Sequence, residues 1–391
     1  MRRLAVAGIA IMVLMACGES ADQSEYRLVT IGSLLHAENI GIGSWDADQR
    51  WVATVSMTLG VFDGEGPEVF GSVSALALDS LGNLHVLDGQ AQEVRVFNQE
   101  GAHVLTLGGP GAGPGELGRA AGLNIAHDGG LWIWDPGNRR FTIFDRTRAF
   151  NRTIPRRVNG VIYPWRGEFD SAGAMIDWGL DFPDMDFNTG DAGRRSIIYP
   201  VRVDPHTGAV DTLPEFRFEG PRVPYRPLLT TVMDIEGQVW FALTDQYRIF
   251  RRTLAGDTTF AISLLDARPE PVTGAERDSI ARIYGDGPAE LPPIPLNEMP
   301  EYKPILIRLL DNRAGHLLVM PQLAGHPAGT ALDVFEKESG RYLGRVELPV
   351  VLENNPAPVA AKGVLYGMIR GEFDVPQVVQ ISLKPPALRQ P

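Results

Sequence analysis

Short apolar runs of four or five residues, broken by Gly, Asn, Asp and Gln, set the rhythm of this chain. It is clearest early on, in Ala75-Leu76-Ala77-Leu78, Leu84-His85-Val86-Leu87, Val94-Arg95-Val96-Phe97 and His103-Val104-Leu105-Thr106-Leu107. Between them stand Ser80-Leu81-Gly82-Asn83, Asp88-Gly89-Gln90 and Gln99-Glu100-Gly101. Apolar runs of that length bounded by turn formers read as strands, so the segment is a four-stranded meander.

The meander recurs. Shifting the chain by 47 residues lays 64–98 on 111–145 without a gap, and nine positions are identical: Gly64, Gly66, Pro67, Gly71, Leu76, Gly82, Leu84, Asp88 and Phe97 meet Gly111, Gly113, Pro114, Gly118, Leu123, Gly129, Leu131, Asp135 and Phe144. A period of about 40–50 residues with four strands points to propeller blades. A turn glycine ahead of a strand returns at Gly82, Gly129, Gly173, Gly237, Gly315 and Gly363, at spacings of 47, 44, 64, 78 and 48, so six blades are expected. The sixth unit has a third strand at Gln377 to Leu383 and then ends in Lys384-Pro385-Pro386. Its missing outer strand is expected from 52–61, which precede Gly64 much as 99–108 precede Gly111. Closing the ring in this way removes exposed sheet edges. The fold class expected is therefore all-β, a six-bladed β-propeller of four-stranded antiparallel blades with one short lid helix.

The motifs Gly-Ala-Gly-Pro-Gly-Glu-Leu at 111–117, Asp128-Gly129-Gly130-Leu131-Trp132-Ile133-Trp134-Asp135 and Asn138-Arg139-Arg140-Phe141-Thr142-Ile143-Phe144-Asp145 resemble an NHL-type repeat. The chain is similar to bacterial six-bladed propeller lipoproteins. Such propellers serve as protein-binding, RNA-binding and enzymatic scaffolds, so the resemblance implies an architecture and leaves the function open.

Composition agrees with many short strands: 43 Gly and 30 Pro among 391 residues are too many turn formers for a helical bundle. A net charge of −12 excludes nucleic acid as the main partner, because phosphate binding rests on clustered Lys and Arg. The single Cys excludes internal disulfides and multi-cysteine metal sites.

That Cys ends a leader. Met1-Arg2-Arg3 precedes an apolar run from Leu4 to Ala16, and Leu14-Met15-Ala16-Cys17 resembles the bacterial lipobox. Thirteen apolar residues at ~1.5 Å each fall short of the ~30 Å hydrocarbon core, so residues 1–16 read as a signal peptide and Cys17 as the lipidated N-terminus. An ordinary signal peptide with an incidental Cys is the alternative. Residues 17–25 would be a tether and 26–386 the propeller. The expected location is the cell envelope, lipid-anchored; Gly18 rather than Asp after the Cys favours the outer membrane in a Gram-negative host.

Two insertions, 179–195 in the second-to-third loop of blade three and 266–304 between blades four and five, should fall on one face, where binding loops gather. The second opens on a capping box, Thr273-Gly274-Ala275-Glu276, followed by Ile280, Ile283 and Tyr284 on one helical face and Gly285 as a stop. It reads as a lid or as a helix decorating the rim. Ends of second strands bring Asp88, Asp135, Trp178 and Arg370 to the same face, and incoming first strands bring Trp165, Arg166 and Arg226. Aromatic and Arg groups at a concave mouth suit a polar organic or peptide ligand. Turn-capping for the two Asp and inter-blade packing for the Trp are the structural alternatives.

No cofactor is expected. The acidic run 184–191 places oxygens at alternate positions as calcium loops do, but Gly190 is seventh and Arg195 twelfth, against the pattern, so a solvated acidic loop is expected and a calcium site is the alternative. The seven His show no paired metal spacing, and no nucleophile elbow or phosphate loop is present. The expectation is a monomeric, non-catalytic envelope propeller binding a protein, peptide or glycan. A metal-dependent hydrolase, lactonase or lyase with its site in the channel is the alternative, and a purely structural scaffold a third.

Overall fold

The computed structural model describes residues 24–160, 165, 167–170, 172–182, 185–186, 191–192, 195–213, 218–221, 223–285 and 296–385. Six blades form the ring, each a meander running from the central axis outward. The first is Val73–Leu78, Leu84–Asp88, Glu93–Phe97 and His103–Gly108; the second is Gly122–Ile125, Leu131–Asp135, Arg140–Phe144 and Phe150–Pro155. The third has Glu168–Phe169, Met175–Asp181 and Arg195–Val203, and both Val210–Thr212 and Phe218–Pro221 pair with the last of these. The fourth is Leu229–Met233, Val239–Leu243, Arg248–Arg252 and Thr258–Leu264; the fifth is Leu306–Asp311, His316–Pro321, Ala331–Glu336 and Tyr342–Glu347.

Blade faces pack on blade faces, so strands buried on both sides read as continuous apolar runs. Every residue of Leu131–Asp135 is buried. One cluster, including Leu87, Val94, Leu131, Ile133 and Phe144, fills the space between the first and second blades. Another, with Trp132, Trp134, Phe141 and Trp165, lies between the second and third.

The sixth blade holds Val359–Ala361, Val364–Arg370 and Pro376–Lys384, and its fourth strand is Val52–Leu59, paired antiparallel from Val378↔Leu59 to Lys384↔Val52. The expected closure is therefore present. Each of the six turn glycines has φ between 77° and 87°, a left-handed conformation a side chain resists. Beside most of them an Asx side chain caps the turn. Asp79 Oδ1 accepts from the amides of Leu81 and Asn83, Asp234 Oδ1 from Glu236 and Gln238, and Asn312 Oδ1 from Ala314 and His316.

Two features depart from the expected plan. Residues taken for a tether and the start of the ring form a hairpin, Glu25–Ile31 with Leu34–Ile40, and the second of these strands runs parallel to Thr258–Leu264, widening the fourth blade to six strands. Asn39 fastens it by donating to Ser263 O and Gly340 O. The inserted helix is Gly274–Gly285, capped reciprocally as the capping box requires: Glu276 N donates to Thr273 Oγ1, and Thr273 N to Glu276 Oε2. Only one of its three apolar residues packs as expected. Ile280 joins Val223, Val272 and Met299, whereas Ile283 and Tyr284 are exposed. Among the described residues no helix is long and apolar enough to cross a membrane.

Candidate functional site: the loop-bearing end of the channel

In each blade the strands alternate in direction. The first-to-second and third-to-fourth turns therefore share one face, the hairpin-turn face. Second-to-third loops and inter-blade connections share the other, the loop-bearing face. The described residues after Asp181 and those between Leu265 and Ile305, with the helix, both belong to the loop-bearing face.

Within the ring runs a channel of about 350 Å³ walled by all six inner strands. Its polar groups are engaged near the hairpin-turn face. His127 Nε2 lies 3.2 Å from Phe169 O, and Arg313 reaches across to donate to Leu78 O at 3.5 Å. Asp234 accepts from Trp240 Nε1 at 2.9 Å and stands 3.9 Å from Lys337, whose ammonium also meets Asp311 at 3.1 Å. Burial raises the Asp234 carboxyl above the usual range despite those partners. The three neighbouring carboxylates hold Lys337 above the usual lysine range, more than offsetting its burial.

At the loop-bearing end, Asp88 and Asp135 have the same office in successive blades. Asp88 is 1% exposed and accepts from the amides of Gly71, Ser72, Gln90 and Ala91. Asp135 is fully buried and accepts from Gly118, Arg119 and Asn138, including the Asn138 side chain. Each carboxylate clamps the arriving connection onto the end of its own second strand. Their acceptor positions are filled from within the chain, which is the turn-capping alternative. Asp177 in blade three has the same place and takes the Trp165 indole N–H at 2.9 Å and Arg156 Nε at 2.7 Å.

Trp165 and Trp178 are buried too, at 8% and 5% exposure. Trp165 packs on Phe141, ring centroids 5.4 Å apart, and Trp178 lines a small apolar crevice with Ile176, Pro200 and Met233 between blades three and four. Both sit where inter-blade packing puts them. Arg226 is half-buried on the connection from third to fourth blade, Arg166 and Cys17 lie outside the described residues, and so does most of the acidic run 184–191. Among the described residues no group of three or more His, Cys, Asp or Glu is arranged to hold a metal ion.

Of the residues singled out from the sequence, Trp165 also lines the channel, and Arg370 lines an open cavity. It borders a groove of about 320 Å³ with Ser72, Ser74, Asn355 and Met368. An adjoining depression of about 390 Å³ shares Ser72, Ser74 and Ala121 and extends to Gln90 and Arg119. Ser72, Ser74, Asn355 and Arg119 were not foreseen. The repeat held a signal for two of them: Gly71 and Gly118 are identical 47 residues apart, and the next residue, whose amide the clamping Asp also holds, changes from Ser72 to Arg119. The backbone there is fixed while the side chain is free to vary.

No family model matches the chain, and no curated protein matches it. Among solved structures, a member of the DUF4221 family from Bacteroides vulgatus superposes with a TM-score of 0.56 at 10% identity, covering 87% of this chain and all of that one. A putative exported protein from Bacteroides fragilis gives a TM-score of 0.50 at 11% identity, over 85% of this chain and 96% of that one. Virginiamycin B lyase from Staphylococcus aureus is a looser likeness, TM-score 0.43 at 12% identity, over 84% and 99%. At these identities the first two show a shared propeller fold, and ligand chemistry has to be argued from this chain's own residues.

Proposed function

We propose that the protein is a lipid-anchored propeller of the cell envelope that binds a protein, peptide or glycan on its loop-bearing face, without catalysis. The observation that carries this reading is a coincidence on one face. The two long loop segments and the open polar groove of Ser72, Ser74, Asn355 and Arg370 occur there together, while the channel's charged groups near the other face are engaged with one another. Binding sites on repeat rings usually gather where loops vary on a rigid frame. The description of the Bacteroides fragilis protein that shares the fold as a putative exported protein is consistent with an envelope location.

A photo-crosslinking side chain tests the face. With benzoylphenylalanine in place of Arg119 on the loop-bearing face, irradiated cells should give a discrete adduct. With it in place of Leu81, which is exposed on the hairpin-turn face, they should not. Adducts from position 81 alone would overturn the assignment.

A further inference from the structure

The joined groove is cationic in an acidic protein. Arg370 and Arg119 line its two lobes with Ser72, Ser74, Asn355 and Gln90, and no carboxylate lines either lobe, in a chain of 48 acidic and 36 basic residues. Asp88 and Asp135 beneath it are engaged within the chain, by backbone amides and by the side chains of Arg95 and Asn138 respectively. Among the described residues none accepts from the Arg119 guanidinium. Arg370 does have a partner: its Nη1 donates to Asp374 O at 3.2 Å and stands 3.6 Å from the Asp374 carboxylate. That carboxylate is 81% exposed, and so solvated a pair holds weakly enough for a ligand anion to replace it.

Beside the Arg370 lobe is an aromatic patch. Arg370 and Pro376 both line the groove, and the loop between them carries Phe373 at its tip, 74% exposed, with its ring 5.4 Å from that of Phe62, itself 68% exposed. Phe373 has a φ of 58°, a left-handed value that bulky residues avoid, and Asp374 beside it, of a type that tolerates the region, has 62°. The chain thus holds a large apolar ring out to water at a conformational cost, the arrangement expected of a ligand clamp rather than a packing element.

A ligand matching this surface carries an anion and a large apolar group on the same centre, with polar groups trailing along the serines. We propose that the groove captures the carboxy terminus of a peptide ending in a large apolar residue. The terminal carboxylate meets Arg370 and the last side chain covers Phe62 and Phe373. The preceding backbone runs past Ser72 and Ser74 toward Gln90 and Arg119. This inference rests on the loop-bearing face being the binding face.

The test is calorimetry with the full chain in detergent micelles, using acetyl-Gly-Gly-Phe as the free acid and as its amide, together with 3-phenylpropionate, and hydrogen exchange to locate each bound probe. The acid should bind at least about 10-fold tighter than the amide, a difference that Arg370→Gln removes. Phe373→Ser should weaken acid and amide alike, by about 5-fold, and leave the preference intact. Equal binding of acid and amide in the groove, a preference surviving Arg370→Gln, or no binding by either peptide overturns the peptide-terminus assignment and leaves the face assignment standing. Phenylpropionate binding as tightly as the peptide replaces the peptide with a free organic acid. Protection confined to the hairpin-turn face overturns both.

Discussion

Buried polar side chains in this ring act chiefly on the backbone next to them. Asp79, Asp170, Asp234 and Asn312 cap the first hairpin turn of their blades, and Asp88 and Asp135 clamp the arriving connections. His85 is different. Fully buried, its Nε2 accepts from Arg148 Nε at 2.9 Å, which requires that nitrogen to be unprotonated, while Arg148 stands 3.7 Å from Asp79 of the neighbouring blade. Burial first and the Arg148 charge next push the imidazole down to about 4, below its ordinary 6.5. Between those values the unfolded chain binds a proton that the folded chain refuses. Stability is therefore fully present above about 6.5 and is lost as pH falls toward 4. This one residue should remove roughly 2 kcal/mol between pH 7 and pH 5. Urea unfolding at the two pH values, compared between the native chain and His85→Gln, measures it: the variant should show a drop smaller by about that amount, and equal drops would mean that His85 takes up its proton in the folded state.

At the scale of elements, closure depends on one strand supplied from the far end of the chain. Val52–Leu59 covers Pro376–Lys384, and Ile381 and Val379 beneath it belong to the cluster joining blades five and six. Deleting residues 1–63 should leave a three-stranded sixth blade with an open edge, broaden the thermal transition and promote aggregation. Deleting 1–42 removes the added hairpin and leaves Val52–Leu59 in place, so the transition should stay sharp. A 1–63 deletion that melts like the full chain would sink the closure argument. The closing strand was legible because its place in the repeat was vacant. The added hairpin was not, since parallel pairing on an outer strand has no counterpart in the repeat. Its alternation is also blurred by exposed Leu28, Ile31 and Leu35 beside buried His36 and Asn39. Trp165 and Trp178 show a similar limit: an indole at the end of a strand looks the same in sequence whether it lines a mouth or fills a gap between blades. The groove was hidden because its residues come from three blades, 72–74 and 119–121 in register with the repeat but 355 and 370 far outside it.

For the whole molecule, charge decides how it can be held at a membrane. Cleavage before Cys17 would leave 34 basic and 48 acidic residues, a net charge of −14, which repels anionic lipid headgroups. The described exposed aromatics Phe62 and Phe373 form too small a patch to anchor a ring of this size against that repulsion. On the proposed reading, attachment would then depend on acyl chains at Cys17. From Cys17 to Ser24 is seven residues, at most about 25 Å of extended chain, and Ser24 leads into the hairpin on the outer rim of blade four. Lipid at Cys17 would tether the ring by that rim, at the loop-bearing end where Glu25 pairs with Ile40 beside Leu264, with the groove on the same face but across the ring, between blades six, one and two. Cys17→Ser should therefore release the folded propeller from the membrane fraction, or leave the leader uncleaved, without altering the melting of the ring. Fractionation with mass determination of the N-terminus separates these outcomes. A cleaved Cys17→Ser chain that stays with the membrane through a high-salt wash would show that something other than acyl chains holds it, and the lipid-anchor reading would fall.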